Sequence, residues 1–233
     1  MAAINFDQSF AATWRRALCA LPVLFLLAGC GGKKPETTPP PKPKPTKPDV
    51  PAIPLPTFSL SGQPVSVVPL EMIVVASDTL DTLAILQDHE HALRWADSLI
   101  GLALIERAPE IKWVLAPELR KKALRAPGVM TDPDRMGQSI MRNSNMKDTP
   151  DPLRSYLRSM TAVVGGDFAL IPAAIMMEAV PDTGLRIYLA MVMTNTRTGE
   201  VVYRTVAVGL GSNPTRALKS AMLTVIPSDV NKQ

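Results

Sequence analysis

The chain has 233 residues, with 25 Lys and Arg against 21 Asp and Glu, so its formal net charge is +4. A hydrophobic content of 46% excludes a fully disordered protein, and two Cys exclude a small fold stapled by disulfides. There is one long apolar run, near the N-terminus, which excludes a membrane protein with several spans.

The first element in chain order, residues 1–29, is predicted to be a lipoprotein signal peptide. Arg15 and Arg16 precede an apolar run over residues 18–27, which is too short to span a bilayer. The run ends in Leu-Ala-Gly-Cys, which resembles the bacterial lipobox, so Cys30 is the predicted site of diacylglycerol and palmitate attachment. The alternatives are a plain N-terminal anchor or a soluble secreted form, and export by the twin-arginine route.

A lipid anchor at Cys30 would tether the chain to a membrane without embedding it, because two or three acyl chains bind stably where one does not. The residue after Cys30 is Gly31 and not Asp. In enteric bacteria, lipoproteins of this type go to the outer membrane. We therefore expect the protein to be anchored in the outer membrane and to face the periplasm.

The second element, residues 30–56, is predicted to be the lipidated Cys followed by a disordered tether rich in Pro and Lys. Ten of the 26 residues from 31 to 56 are Pro, which removes backbone donors and fixes φ, so neither helix nor sheet is expected. An extended segment of this kind reaches roughly 80 Å at about 3.1 Å per residue. A passive spacer is the favoured interpretation, and a ligand for a proline-recognising module is the alternative.

The net charge belongs to these two segments. Two Arg and one Asp give residues 1–30 a charge of +1, and five Lys against one Glu and one Asp give residues 31–56 a charge of +3. Residues 57–233 hold 18 basic and 18 acidic residues and are neutral. Export, together with a neutral domain, indicates that nucleic acid is not a partner.

The third element, residues 57–233, is predicted to be one periplasmic α/β (α+β) domain. Alternating and continuous apolar runs predict five strands, and apolar residues at helical spacing predict four helices packed on the sheet. The strands are expected over 65–76, 111–115, 167–179, 185–194 and 200–209, and the helices over 88–107, 118–125, 151–164 and 214–225. The last three strands form a β-meander. Residues 127–150 are predicted to be a long loop, either functional or mobile.

The segments Gly-Gly-Asp-Phe-Ala-Leu-Ile-Pro and Thr-Gly-Glu-Val-Val-Tyr carry a family resemblance within residues 65–226. They resemble a periplasmic domain of the penicillin-binding-protein activator lipoproteins (B type), the curli secretion-channel lipoprotein and the N-terminal domain of the Tol-system β-propeller protein. Lipobox, Pro-rich tether and domain together parallel the B-type activators. The resemblance implies an adaptor or regulator that binds an envelope protein, in cell-wall synthesis by analogy.

Residues that could carry chemistry are few. His89 and His91 are the only histidines, and an exposed helix start is favoured over a zinc site because i and i+2 do not share a helix face. Four carboxylates on the long loop suit turns better than calcium or acid–base chemistry: Asp132, Asp134, Asp148 and Asp151. Four loop methionines could serve a partner surface or the core: Met130, Met136, Met141 and Met146. Arg120 and its basic neighbours are predicted to form a solvated helix face.

No catalytic motif is visible, so no enzymatic activity, cofactor or metal is expected, and a hydrolase of the envelope is the weakest alternative. The main alternative to an adaptor is an oligomeric assembly or secretion component of the envelope. The sequence leaves the oligomeric state and the identity of the partner open.

Overall fold

The computed structural model of the protein describes residues 50–76, 84–181 and 184–227. The predicted signal peptide, Cys30 and the first part of the predicted tether lie outside the described residues. The described part confirms the predicted fold class, since helices pack on a mixed sheet.

The sheet has six strands in the order β3-β1-β4-β5-β6, with β2 beside β4. Strands β1, β2, β3 and β4 pair in parallel, and β4, β5 and β6 form the predicted antiparallel meander. The strands are β1 (Pro64–Val67), β2 (Ile73–Val75), β3 (Lys112–Val114), β4 (Phe168–Val180), β5 (Gly184–Asn195) and β6 (Val201–Gly211). The helices are α1 (Thr57–Leu60), α2 (His89–Arg107), α3 (Ala116–Arg125), α4 (Leu153–Val164) and α5 (Pro214–Val225).

The sheet has six strands instead of about five because the strand predicted over 65–76 is interrupted. Pro69 has no backbone N–H to donate, and residues 68–72 leave the strand conformation between β1 and β2. Both pieces still lie beside β4, since Val68 N donates to Leu170 O and Ile175 N donates to Met72 O, both at 2.9 Å.

Two cores lie on opposite sides of the sheet. The first core lies between the sheet and helices α2 and α5, and it contains the five alternating residues of β5 that the sequence places on one face: Leu185, Ile187, Leu189, Met191 and Met193. The second core lies under α3, α4 and residues 127–150. That predicted loop contains two short 3₁₀ helices, Pro133–Arg135 and Gln138–Arg142.

Helix α5 approaches β6 very closely. A Cβ atom placed on Gly209 would lie 2.0 Å from the carbonyl oxygen of Ala217 and 2.3 Å from the amide nitrogen of Ala221. The helix begins as the sequence predicts, with Asn213 accepting a hydrogen bond from Arg216 N and Pro214 in the first turn.

The last residues of the predicted tether pack on the domain. Leu55 is buried, and its N–H donates to Val225 O at 2.8 Å. Ile53 N donates to Thr205 Oγ1 at 2.9 Å, and Tyr203 OH donates to Ile53 O at 2.7 Å. Burial raises the pKa of Tyr203 to about 12, so its hydroxyl stays a donor across the physiological range. The chain therefore joins the domain on the α5 side of β6.

Candidate interaction surface on the sheet

Within the described residues, one part of the sheet is left uncovered, on the side opposite α5. Three rows of side chains cross it in strand register: Ala174, Ala190 and Val206; Val74, Met176, Tyr188 and Val208; Glu178, Arg186 and Leu210. We call these ten residues the open face. Each row joins neighbouring strands, so the side chains form one continuous surface.

The open face is largely apolar and exposed to solvent. Val74, Val208 and Leu210 are 43%, 37% and 46% exposed, and Met176 and Val206 are partly exposed. Val202, at the register shift between β5 and β6, is 46% exposed. Contiguous apolar surface of this kind on a folded domain marks a site of interaction.

Glu178 and Arg186, the two charged residues of the open face, contact each other and the neighbouring Tyr188. Tyr188 OH donates to Glu178 Oε2 at 3.2 Å, and Arg186 Nη1 lies 3.5 Å from the same oxygen. The carboxylate, guanidinium and hydroxyl are therefore hydrogen-bond partners of one another, and these three residues form a polar border to the apolar surface.

Beside the open face, residues 127–150 cover the same side of the sheet. Met130, Met136 and Met141 are 4%, 3% and 0% exposed and belong to the second core, so a partner surface built from these three is wrong. Their flexible side chains fill an irregular space under a loop. Met146 is only partly buried.

Arg204 connects β6 to residues 127–150, which cover this side of the sheet. Its Nη1 donates to Met141 O at 2.5 Å, and its Nη2 donates to Met146 O at 2.9 Å. Burial lowers the pKa of Arg204, and two carbonyl oxygens compensate the partly desolvated guanidinium. Arg204 thus marks the boundary between the covered part of β6 and its open part.

Residues 127–150, the covering loop, have a second contact that holds them in place. It is a cluster of three charged residues: Asp97 on α2, Arg120 on α3 and Asp134 on the loop. Arg120 Nη2 donates to Asp97 Oδ2 at 2.6 Å and to Asp134 Oδ1 at 2.7 Å, and Leu70 N donates to Asp97 Oδ1 at 2.7 Å. Burial raises the pKa of Asp97 against the opposing effects of the Leu70 N–H and of Arg120. Arg120 is therefore a structural contact and not part of a solvated helix face.

The remaining residues singled out in the sequence are dispersed. His89 and His91 are exposed in the first turn of α2, where Asp88 accepts a hydrogen bond from His91 N. Asp132 accepts from Asp134 N and caps a 3₁₀ helix, and Asp148 forms an isolated bridge with Glu200. Within the described residues, no three or more His, Cys, Asp and Glu come together as metal ligands.

Asp148 also lines a cavity of about 650 Å³ at the start of β6. The cavity lies between residues 144–148 and residues 198–204, so it adjoins the boundary that Arg204 makes.

Within the described residues, no helix is both long and apolar enough to cross a membrane.

The sequence did not reveal the open face, although one signal was present. Strand β6 reads Val-Val-Tyr-Arg-Thr-Val-Ala-Val-Gly-Leu-Gly and carries apolar residues on both sides. Such a pattern is typical of a strand buried on both faces. Within the described residues, one of the two apolar sides of β6 packs under α5, and the cover made by residues 127–150 ends before the second half of its other side.

Neither a family model nor a curated protein sequence matches the chain. The NMR structure of LpoB from Escherichia coli is similar, with 14% identity and a TM-score of 0.35 over 89% of this chain and 90% of LpoB. PelC from Paraburkholderia phytofirmans, solved as a dodecamer, is 12% identical with a TM-score of 0.34 over 72% of this chain and 89% of PelC. Lipoprotein GNA1162 from Neisseria meningitidis is 13% identical with a TM-score of 0.31 over 65% of this chain and 83% of its own.

At 12–14% identity and TM-scores of 0.31–0.35, these structures carry no argument about this chain. The function of this chain therefore rests on its own residues.

Proposed function

We propose that the protein is a lipid-anchored component of the bacterial outer membrane whose periplasmic domain binds an envelope protein as an adaptor or regulator. The observation that carries the proposal is the open face, an apolar surface across four strands that the described part of the domain leaves exposed. Binding an apolar partner surface there would remove it from water, at about 25 cal/mol per Å² of area.

The position of the open face suits a tethered protein. The chain joins the domain on the α5 side, through Ile53 and Leu55, and the open face lies on the opposite side of the sheet. Residues 53–55, where the predicted tether ends, therefore leave the open face free for a partner.

We propose binding without catalysis. Within the described residues, no hydrogen bond joins either imidazole of His89 and His91 to a Ser hydroxyl or a carboxylate, and both side chains lie away from the open face on α2. The layout of lipobox, tether and domain, which parallels the B-type activators, favours a partner in cell-wall synthesis. An assembly component is the second candidate, and β6 favours it because, among the strands of the described residues, it pairs with β5 alone.

The lipid anchor is tested by metabolic labelling with a fatty acid and by membrane fractionation. The parent chain should be labelled and sediment with the outer membrane, and Cys30→Ala should be unlabelled and leave the membrane, because the thiol is the acylated group. Cys19→Ala is the matched control and should behave as the parent. Equal labelling of the parent and Cys30→Ala would rule out this anchor.

The open face is tested by replacing single residues with a photo-crosslinking amino acid in living cells. Leu210 on the open face and Leu223 on α5 are 46% and 50% exposed, so they form a matched pair on opposite sides of the sheet. A probe at Leu210 should capture one discrete envelope protein that a probe at Leu223 does not. Identical products from both sites would remove the support for a binding role of this face.

A further inference from the structure

Strand β6 is the edge of the sheet. Within the described residues, it pairs with β5 along Val201–Gly211 and with no other strand of the sheet. Residues 147–149 cover its edge only at the beginning, where Val201 N donates to Lys147 O at 2.9 Å and Thr149 N donates to Gly199 O at 2.7 Å. An unpaired edge of this length presents a row of free backbone donors and acceptors to another strand.

The edge lacks the usual protection against pairing. Natural edge strands are blunted by Lys, Pro or inward charges. Strand β6 has neither Lys nor Pro, and its one charged residue is Arg204, whose guanidinium is bound to Met141 O and Met146 O. Val202, Val208 and Leu210 are exposed beside the edge.

We infer that two copies of this chain pair through β6 as an antiparallel, twofold dimer centred on Val206. In this register Val206 lies opposite its own copy, on the side of the open face. Arg204 lies opposite Val208, so no charge meets its own copy. Pairing centred on Arg204 would place two arginines opposite each other, which is unfavourable.

The place where the chain enters the domain agrees with this arrangement. Residues 51–53 contact the domain beside Thr205, whose Oγ1 accepts from Ile53 N and donates to Pro51 O. Thr205 adjoins Val206, and its side chain lies on the α5 side. A twofold axis through Val206 therefore brings residues 51–53 of both copies to the same side of the joined sheets, which is compatible with anchoring both copies in one membrane.

The consequence is a larger binding surface. The two open faces would lie on the same side of a continuous sheet and meet along Val206, Val208 and Leu210. The dimer does not depend on the proposed function, because it can form whether or not a different protein binds the open face.

Disulfide trapping of the mature lipoprotein in cells tests the register. Residues directly opposite in an antiparallel pair have Cα atoms about 4.5–5.5 Å apart, within the range that a disulfide needs. Val206→Cys should form a disulfide dimer on a non-reducing gel. Val208→Cys, on the same strand and side, should not, because it lies opposite Arg204, and Leu223→Cys on α5 reports random collision.

A mass measurement supplies a second test. The parent lipoprotein in detergent should have about twice the protein mass of one chain by light scattering, and Val206→Lys should have that of one chain, because it places two like charges across the axis. Leu223→Lys, at an exposed site on α5, should stay dimeric, and circular dichroism should show that both variants are folded.

Equal trapping of Val206→Cys and Leu223→Cys, preferential trapping of Val208→Cys, or an unchanged mass of Val206→Lys would each overturn the dimer. If trapping fails while the probe at Leu210 captures a different envelope protein, the dimer is wrong and the proposed function stands. If trapping succeeds and the probe captures only a second copy, the dimer stands and the adaptor function loses its support.

Discussion

Strand β4 passes through two different surroundings on the same side of the sheet. Its first residues, including Ala169, Ile171 and Ala173, are fully buried under residues 127–150 and the helices beside them. Its last residues on that side, Met176 and Glu178, are partly exposed. Ile171 and Met176 are both large and apolar, so the difference in their exposure comes from the cover and not from the side chain. The open face begins where the covering loop ends.

The two sides of β6 also differ in their cover, since α5 packs on one side and the other side belongs to the open face. Substitution of Gly209, on the α5 side, has the largest expected effect on stability. Gly209→Val should destabilise the protein by at least about 3 kcal/mol, because its Cβ meets backbone atoms of α5 that cannot move aside without displacing the helix. Urea unfolding followed by circular dichroism measures this change.

The neighbouring Val208→Thr is the control for Gly209→Val, since its side chain points to the open face and it should change stability by less than about 1 kcal/mol. Equal losses for the two variants would mean that α5 does not rest on β6 as described.

A pair of methionines sharpens the contrast between the covered and the open part. Met141→Ala should cost about 3 kcal/mol, since the side chain is fully buried and its removal leaves a cavity. Met176→Ala, on the open face, should cost about 1 kcal/mol, because water already reaches that side chain. Equal costs in urea unfolding would contradict the description of one part as covered and the other as open.

Substitution of Arg204 should loosen the covering loop where it borders the open face. Arg204→Met keeps much of the aliphatic length and removes two hydrogen bonds from a charged donor to carbonyl oxygens, so we expect a loss of about 2 kcal/mol. Amide hydrogen exchange should become faster over residues 138–147 and stay unchanged in α5. Arg94→Met, whose guanidinium pairs with Glu90 on the exposed surface of α2, is a control that should leave exchange of the loop unchanged.

Much of the fold could be predicted from the sequence because it depends on residues that are close together in the chain. The alternation from Leu185 to Met193 specifies which side of β5 is buried, and Asn213 with Pro214 specifies where α5 begins. The open face depends instead on where a distant loop stops, which is not a local property. The same holds for Arg120, whose partners Asp97 and Asp134 lie on different elements.

The smallest expected effect is a dependence of stability on pH from Asp97. Burial raises the pKa of this carboxyl above its ordinary value of 3.8 in the folded protein, so the folded state holds the proton more tightly than the unfolded state. The stability contributed by this group is therefore complete below the unfolded pKa and is lost as the pH rises through the folded pKa.

Asp97→Asn removes the titration while leaving a side-chain oxygen to accept from Leu70 N. The free energy of unfolding of the parent, measured relative to that of Asp97→Asn between about pH 3 and 7, should fall with rising pH and then level off. The exposed Asp134→Asn keeps the buried carboxyl and should retain the falling slope. A parent that gains stability over the variant as the pH rises would mean that Arg120 and the Leu70 N–H outweigh burial, and that the cluster of Asp97, Arg120 and Asp134 holds the covering loop chiefly as an ion pair.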